Sequence, residues 1–261
     1  MAFVVAITGA STGIGRALAL AWAKRGATLV LSARGEEALN AVAREVKDAG
    51  GEVFVEAGDV TREDDRVRFV QRARLEKGRL DVLVNNAGRG YYGTSRTIAI
   101  TDLESIFQLN VFAPLRLAQL AIDPLARTSG TIVMMSSIAG VVAAPRLGAY
   151  AASKFALEAL SMSLRAELAS TGVKVVVIRP GPVDTAFRAN SITTDGQPGV
   201  RPPGAKIQTA EDVAEQTLRA VDRGTPVVET TGFVKLASAT SRVAPAAFRF
   251  ITRIMAAKKS D

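Results

Sequence analysis

The sequence predicts an α/β protein, a doubly wound parallel sheet of seven strands with helices on both faces. Short β-branched apolar runs alternate with helical patterns from end to end, which is the signature of repeated strand–helix–strand units. Several of the runs are apolar at every position, as strands covered on both faces must be. The composition fits a folded domain, with 261 residues, 48% hydrophobic and 22% charged, and ordinary glycine and proline content.

In chain order the predicted strands are 3–8 (FVVAIT), 28–33 (TLVLSA), 53–58 (VFVEAG), 81–86 (DVLVNN), 131–136 (TIVMMS), 173–179 (VKVVVIR) and 226–229 (PVVE). Between them Ile14, Leu18, Ala21 and Trp22 recur at helical spacing, as do Leu39, Val42, Val46 and Ala49 before a Gly50-Gly51 stop. Thr101 with Glu104, and Thr209 with Asp212, read as helix starts of the capping-box kind. No repeat, linker or composition break divides the first 230 residues, so the chain reads as one domain over 1–261, with a motif-bearing core at 3–229 and an extension at 232–261. The stretch 186–208 concentrates glycine and proline and reads as a long mobile loop.

Composition excludes much chemistry. With no cysteine and no histidine, disulfides, thiolate metal sites and serine–histidine triads are impossible, and proton chemistry must use Tyr, Lys, Asp or Glu. The net charge is +8, but six Lys and Arg against one Asp fall within 232–261, leaving the body nearly neutral and nucleic-acid binding unexpected. No Lys or Arg precedes Arg16, so the basic region of a signal peptide is missing and a cytoplasmic protein is expected. The longest uncharged stretch, 128–145, holds three Gly or Pro and five Ser or Thr, and suits a buried strand and loop better than a membrane span.

The first strand runs straight into TGASTGIGRALAL. Glycines at 9, 13 and 15 allow a tight turn, close approach to a pyrophosphate and packing of helix on strand, while the helix N-terminus offers free N–H groups. A purely structural glycine turn is the alternative. The second strand ends LSAR, placing Ala33 and Arg34 where an acid would bind a ribose 2′-hydroxyl and an arginine a 2′-phosphate. Arg34 is therefore either a solvated loop charge or the residue that favours NADP(H) over NAD(H). Tyr150 and Lys154 stand at i and i+4, so a helix starting near Tyr150 projects both from one face, and the ammonium is expected to lower the tyrosine pKa by about 1 to 3 units.

Taken together, TGASTGIG at 8–15, NNAG at 85–88, Asn110, Ser137, YAASK at 150–154 and PGPVDT at 180–185 resemble the short-chain dehydrogenase/reductase superfamily. The resemblance covers about 3–229 and implies a Rossmann-like fold. It implies that Tyr150 exchanges a proton with the substrate oxygen, that Lys154 lowers the tyrosine pKa and holds the nicotinamide ribose, that Ser137 bonds the carbonyl oxygen, and that Asn110 holds a water linking Lys154 to solvent. Ser137 is preferred to Ser136 because it lies 13 residues before Tyr150, the usual family spacing. For the cofactor the resemblance implies Gly9, Ser11, Thr12, Gly13, Ile14 and Gly15 at the glycine turn, with Ala33 and Arg34 after the second strand. It adds Asp59 and Val60 at the adenine, Asn86, Ala87 and Gly88 beside the adenine ribose, and Pro180, Gly181, Val183 and Thr185 at the carboxamide, with Tyr150 and Lys154 again at the ribose. One departure is Thr12, where many NADP-preferring members carry a basic residue.

The implied activity is NADP(H)-dependent interconversion of a carbonyl and an alcohol. An NADP-binding regulatory or scaffold protein is the alternative, which a broken Asn110, Ser137, Tyr150, Lys154 set would have favoured. Ile138, Ala139, Val141, Val142 and Ala143, with Tyr91, Tyr92 and Phe187, read equally as core or as an apolar substrate pocket. The resemblance also implies a homodimer or homotetramer paired through the helices of Asn110 and Tyr150, where Leu103, Ile106, Phe107, Val111, Leu157, Leu160 and Leu164 supply apolar surface, some of which must face the sheet. The basic extension, with Val243, Ala247, Phe248, Ile251, Ile254 and Met255 at helical spacing, reads as a helix packed on protein, a mobile tail, or a segment making weak contact with an anionic membrane. Pro245 limits its amphipathic part to Ala246 onward.

Overall fold

The computed structural model describes residues 3–194 and 207–243. The chain runs β1 (Val4–Thr8), α1 (Gly13–Ala23), β2 (Thr28–Ala33), α2 (Glu36–Asp48), β3 (Glu52–Ala57), α3 (Glu63–Lys77), β4 (Val82–Asn85) and β5 (Tyr91–Tyr92). It continues through α4 (Ile100–Phe107), a π turn (Gln108–Phe112), α5 (Ala113–Ala126), β6 (Thr131–Met135), a 3₁₀ turn (Ile138–Gly140), α6 (Gly148–Glu167) and β7 (Lys174–Arg179). Last come β8 (Ile192–Thr193), α7 (Ala210–Arg223), β9 (Val227–Glu229) and α8 (Gly232–Val243).

Seven strands form one parallel sheet in the order β3-β2-β1-β4-β6-β7-β9. The chain moves outward from β1 to β3, returns to β4, and then builds the other half. The two halves diverge between β1 and β4, and open α/β sheets bind ligands at such a switch point, outside the carboxyl ends of the strands. Strand residues alternate between two cores. Val5, Ile7, Leu29 and Val176 pack under α1, α2 and α7 with Leu18, Leu39 and Val213, whereas Val4, Ala6, Val30 and Leu83 pack under α3, α5 and α6 with Phe69, Leu117 and Leu157.

All seven expected strands are present, with ends displaced by at most a residue or two. Thr209 makes the expected capping box with Asp212. Thr101 does not cap its helix: Ala99 is extended, and Asp102 and Leu103 already donate to its carbonyl, so α4 begins at Ile100. The stretch 186–208 is less irregular than its composition implies, because β8 pairs with β5 in register Tyr91 to Ile192 and Tyr92 to Thr193. A two-residue pair leaves no periodicity to read. The remainder of that stretch, 195–206, lies outside the described residues, as do Pro245 and the expected helix from Ala246. The start of the extension is α8, which buries Val234 and Ser238.

Part of the apolar surface on the helices of Asn110 and Tyr150 faces the sheet, as expected. Ile106, Val111, Leu157 and Leu164 are buried, because they are the sides of their helices that face the sheet and the neighbouring helices. The large apolar side chains that α5, α6 and the π turn do expose are Phe112, Phe155 and Met162. Replacing fully buried Leu83 by Ala, in the middle of the sheet, is expected to cost about 2 to 5 kcal/mol in denaturant unfolding, since the rigid strand and helix around it cannot collapse into the void.

Candidate active site

One cleft of about 720 Å³ lies along the carboxyl edge of the sheet. Its wall at one end is the turn after β1, where Gly9 and Gly13 hold φ of +64° and +54°. A Cβ on Gly15 would stand 2.2 Å from the Gly9 carbonyl oxygen, so only glycine lets α1 start this close to the strand it follows. Asn86 locks the turn from β4, its Nδ2 donating to the carbonyls of Thr8 at 3.0 Å and Gly9 at 3.1 Å. The Thr8 hydroxyl in turn accepts the main-chain N–H groups of Asn86 and Ala87.

The cap of α1 is left open. Thr12 makes no side-chain capping bond and no acidic residue occupies the first turn. The first-turn N–H groups, without intrahelical acceptors, and the positive end of the helix dipole suit a phosphate. Ser11, Thr12, Gly13 and Ile14 line this part of the cleft, and Thr185 closes over it, packed where a Cβ on Gly13 would be 3.1 Å from its Cγ2.

Ala33 and Arg34 at the end of β2, and Asp59 and Val60 after β3, line the same end. Arg34 is exposed and makes no hydrogen bond or ion pair with another described residue. The Asp59 carboxylate accepts from the N–H and hydroxyl of Thr61 at 2.9 and 2.8 Å, which fixes the loop after β3. Asn86, Ala87 and Gly88 form the floor, and Pro180, Gly181 and Val183 form the far wall with Thr185.

Ser137, Tyr150 and Lys154 converge at the other end. Ser137 caps the 3₁₀ turn, its hydroxyl accepting Ala139 N–H at 3.2 Å, and it is hydrogen-bonded to the Tyr150 phenol. Ser136 Oγ is buried with no partner among the described residues and has no bond to Tyr150. Lys154 donates to the Met135 carbonyl at 2.8 Å, with its ammonium 5.9 Å from the Tyr150 ring centre. Two expected residues lie behind the wall. Gly15 supports the turn, and Asn110, 1% exposed within the π turn, bonds the N–H and C=O of Arg89 at 2.9 Å each and Ser153 Oγ at 3.1 Å.

The expected fall in the tyrosine pKa is overturned. Burial raises the Tyr150 phenol well above the ordinary tyrosine range, the Ser137 hydrogen bond opposes this, and nearby Tyr92 adds to it. Burial also pushes the Lys154 ammonium down to about 8, against the pull of Glu158. The helical spacing is as expected, but both groups are desolvated, and low polarity disfavours both charged forms.

Of the residues open to either reading, Tyr91 belongs to a small core with Ile106 and Ala149, while Ile138, Ala139, Tyr92 and Phe187 line the cleft at the Tyr150 end. Phe187 packs on Tyr150 at 5.8 Å between ring centres. Arg89, Leu147, Arg188 and Asn190 line the cleft without having been anticipated. Arg89 follows NNAG directly and could have been read from that motif. Arg188 reaches the site through the β5–β8 pairing, where it lies over the Tyr92 ring and bonds its hydroxyl.

These walls match known proteins. The model of the short chain dehydrogenase family fits residues 3–196. The mouse protein described as dehydrogenase/reductase SDR family member 7B is 35% identical over 98% of this chain and 80% of its own length. An alcohol dehydrogenase from Thermococcus sibiricus, solved with 5-hydroxy-NADP, is 30% identical over 88% of this chain and 94% of its own, with a TM-score of 0.77. A short-chain dehydrogenase/reductase from Burkholderia phymatum, solved with NAD, is 25% identical over 91% of this chain and 92% of its own, with a TM-score of 0.83. The chain belongs to the short-chain dehydrogenase/reductase family, and is an oxidoreductase acting on alcohol or carbonyl groups.

The Lys154 shift has a measurable consequence. Its native pKa lies below the unfolded value, so between pH 8 and 10.5 the unfolded chain binds more protons, and folding stability from this group is gained as pH rises and lost as it falls through 8. The stability of the native chain relative to a Lys154→Met variant is therefore expected to rise across that window in paired denaturant titrations.

Proposed function

We propose that this protein is an NADP(H)-dependent oxidoreductase that interconverts a carbonyl and an alcohol on a substrate with a mainly apolar body. The observation that carries the reading is the convergence of Ser137, Tyr150 and Lys154 at one end of a cleft whose other end is an uncapped, acid-free helix N-terminus. The bound dinucleotide supplies or takes the hydride.

In the reductive direction Ser137 and Tyr150 both offer hydrogen bonds to the substrate oxygen. The buried phenol is protonated at neutral pH, which is the form that donates as negative charge develops on that oxygen. Lys154, held by the Met135 carbonyl, places its charge beside the ring, and would hold the nicotinamide ribose of a bound dinucleotide. The Asn110 side chain is engaged with Arg89 and Ser153 and lies in the π turn, where the regular ladder of helix bonds is interrupted. Ile138, Ala139, Leu147 and Phe187 supply the apolar walls for the substrate.

Preference for NADP(H) rests on Arg34, which reaches the cleft at the end of β2 with no acid before Glu36. A 2′-phosphate there gains a charge-assisted contact of about 1.5 to 3 kcal/mol. Arg34→Ala is expected to weaken NADPH about tenfold or more while barely changing NADH; titration of both dinucleotides decides it, and a parallel loss for NADH would remove the case for the phosphate.

Tyr150→Phe is expected to lower turnover by at least the roughly 10² to 10⁴-fold due to general acid catalysis, with NADPH affinity nearly intact. Rates close to those of the native chain, on a substrate that it reduces, would assign the proton to another group and reopen the scaffold reading.

A further inference from the structure

A chain of buried charges runs behind the catalytic end without touching the cleft. Glu158 follows Lys154 by one helical turn on α6, and the two side chains share a face. Arg179, the last residue of β7, forks onto Glu158, with Nε 2.9 Å from Oε1 and Nη2 2.8 Å from Oε2. Its third nitrogen, Nη1, reaches Glu229 at the end of β9, at 3.1 Å. Glu158 and Arg179 are 5% and 4% exposed.

The groups that face Glu158 come from four elements. Lys154 and Arg165 lie on α6, Arg179 on β7 with Glu229 of β9 behind it, and the Ser136 hydroxyl at the end of β6. Arg165 commits its nitrogens to the carbonyls of Val175 at 2.8 Å and Pro226 at 2.7 Å. The Glu158 stem also presses on the 3₁₀ turn that follows Ser137. A Cβ on Gly140 would stand 3.0 Å from Glu158 Cγ and 2.6 Å from Ser136 Oγ, so the close fit requires glycine.

Stability alone does not account for such a pair, since apolar residues of similar volume commonly serve a core equally well. Its placement does. Arg179 sits directly before Pro180, where the wall over the nicotinamide end begins, and Glu158 sits one turn below Lys154 and against the turn of Ser137.

We propose that Glu158, held by Arg179, is a positioning residue of the reaction: its carboxylate keeps the buried Lys154 ammonium charged and braces the turn that carries Ser137. Glu229 offsets the second half of the Arg179 charge from the far side. The electrostatic balance agrees, because Glu158 is the charge that opposes the effect of burial on Lys154. The proposal rests on the reading of Lys154 as part of the catalytic end.

The test separates the two. In protein labelled with ¹³C at lysine Cε, with the Lys154 signal assigned from its loss in Lys154→Met, the titration midpoint of Lys154 is expected to fall by about one unit or more in Glu158→Gln and to stay near the native value in Glu158→Asp. With NADPH and a carbonyl substrate, kcat of Glu158→Gln is expected to fall more than tenfold while KM for NADPH changes less than twofold, with partial recovery in the Asp variant. Should the Gln variant fail to fold, the triple variant Glu158→Leu, Arg179→Leu, Glu229→Leu removes all three charges together and is expected to show a fall in the midpoint in the same direction. An unmoved Lys154 midpoint, with only the melting temperature lowered, would overturn the proposal and leave the pair a structural bridge. A shifted midpoint in a protein whose native form turns over no carbonyl would keep the proposal for Lys154 and refute the catalytic reading instead.

Discussion

The Tyr150 end of the cleft depends on holding one ammonium ion, that of Lys154, inside the protein. A buried cation is costly, and the usual escape is loss of the proton, toward which the shift to about 8 is a step. The fold opposes that escape with a main-chain carbonyl at the end of β6 and a carboxylate one turn further along the same helix. Both are fixed by the parallel sheet: Met135 ends a strand whose residues are all buried, and Glu158 is clasped by the last residue of the next strand. The register of α6 against β6 and β7 therefore decides whether Lys154 can remain charged next to Tyr150.

The cleft is built from opposites placed on one sheet edge. At the glycine-turn end, backbone N–H groups, exposed Arg34 and an open helix cap offer attraction for negative charge. At the catalytic end Tyr150 and Lys154 are removed from water, and the apolar walls of Ile138, Leu147 and Phe187 surround them. Contact of Thr185 with Gly13 joins the two ends across the β1–β4 switch point. The short β5–β8 pair adds the segment of Phe187 and Arg188 beside Tyr150, where Phe187 packs on the Tyr150 ring and Arg188 on that of Tyr92.

The strands were legible because they are buried on both faces, so their runs of Val, Ile and Leu are continuous and each ends at the residues that face the cleft. Gly9, Gly13, Tyr150 and Lys154 could be read from local spacing, Asn86 and Ser137 from the family resemblance, and the fold brings all six to one cleft or its support. What could not be read depends on burial or on contacts distant in sequence. The phenol moves up instead of down because desolvation of two neighbouring groups is a property of the packed structure. Asn110 gives its side chain to Arg89 because the π turn draws it behind Gly88. Arg179 and Glu158 are 21 residues apart, and neither belongs to a motif that announces the other.

The central claim, that the cleft transfers hydride between NADP(H) and a carbonyl carbon, is tested most directly by isotope transfer. Native protein incubated with NADPH deuterated at the reactive C4 position and a panel of apolar aldehydes and ketones is predicted to yield at least one alcohol carrying deuterium on the former carbonyl carbon, read by mass spectrometry. Binding of NADPH without consumption, and without label in any alcohol of the panel, would contradict it.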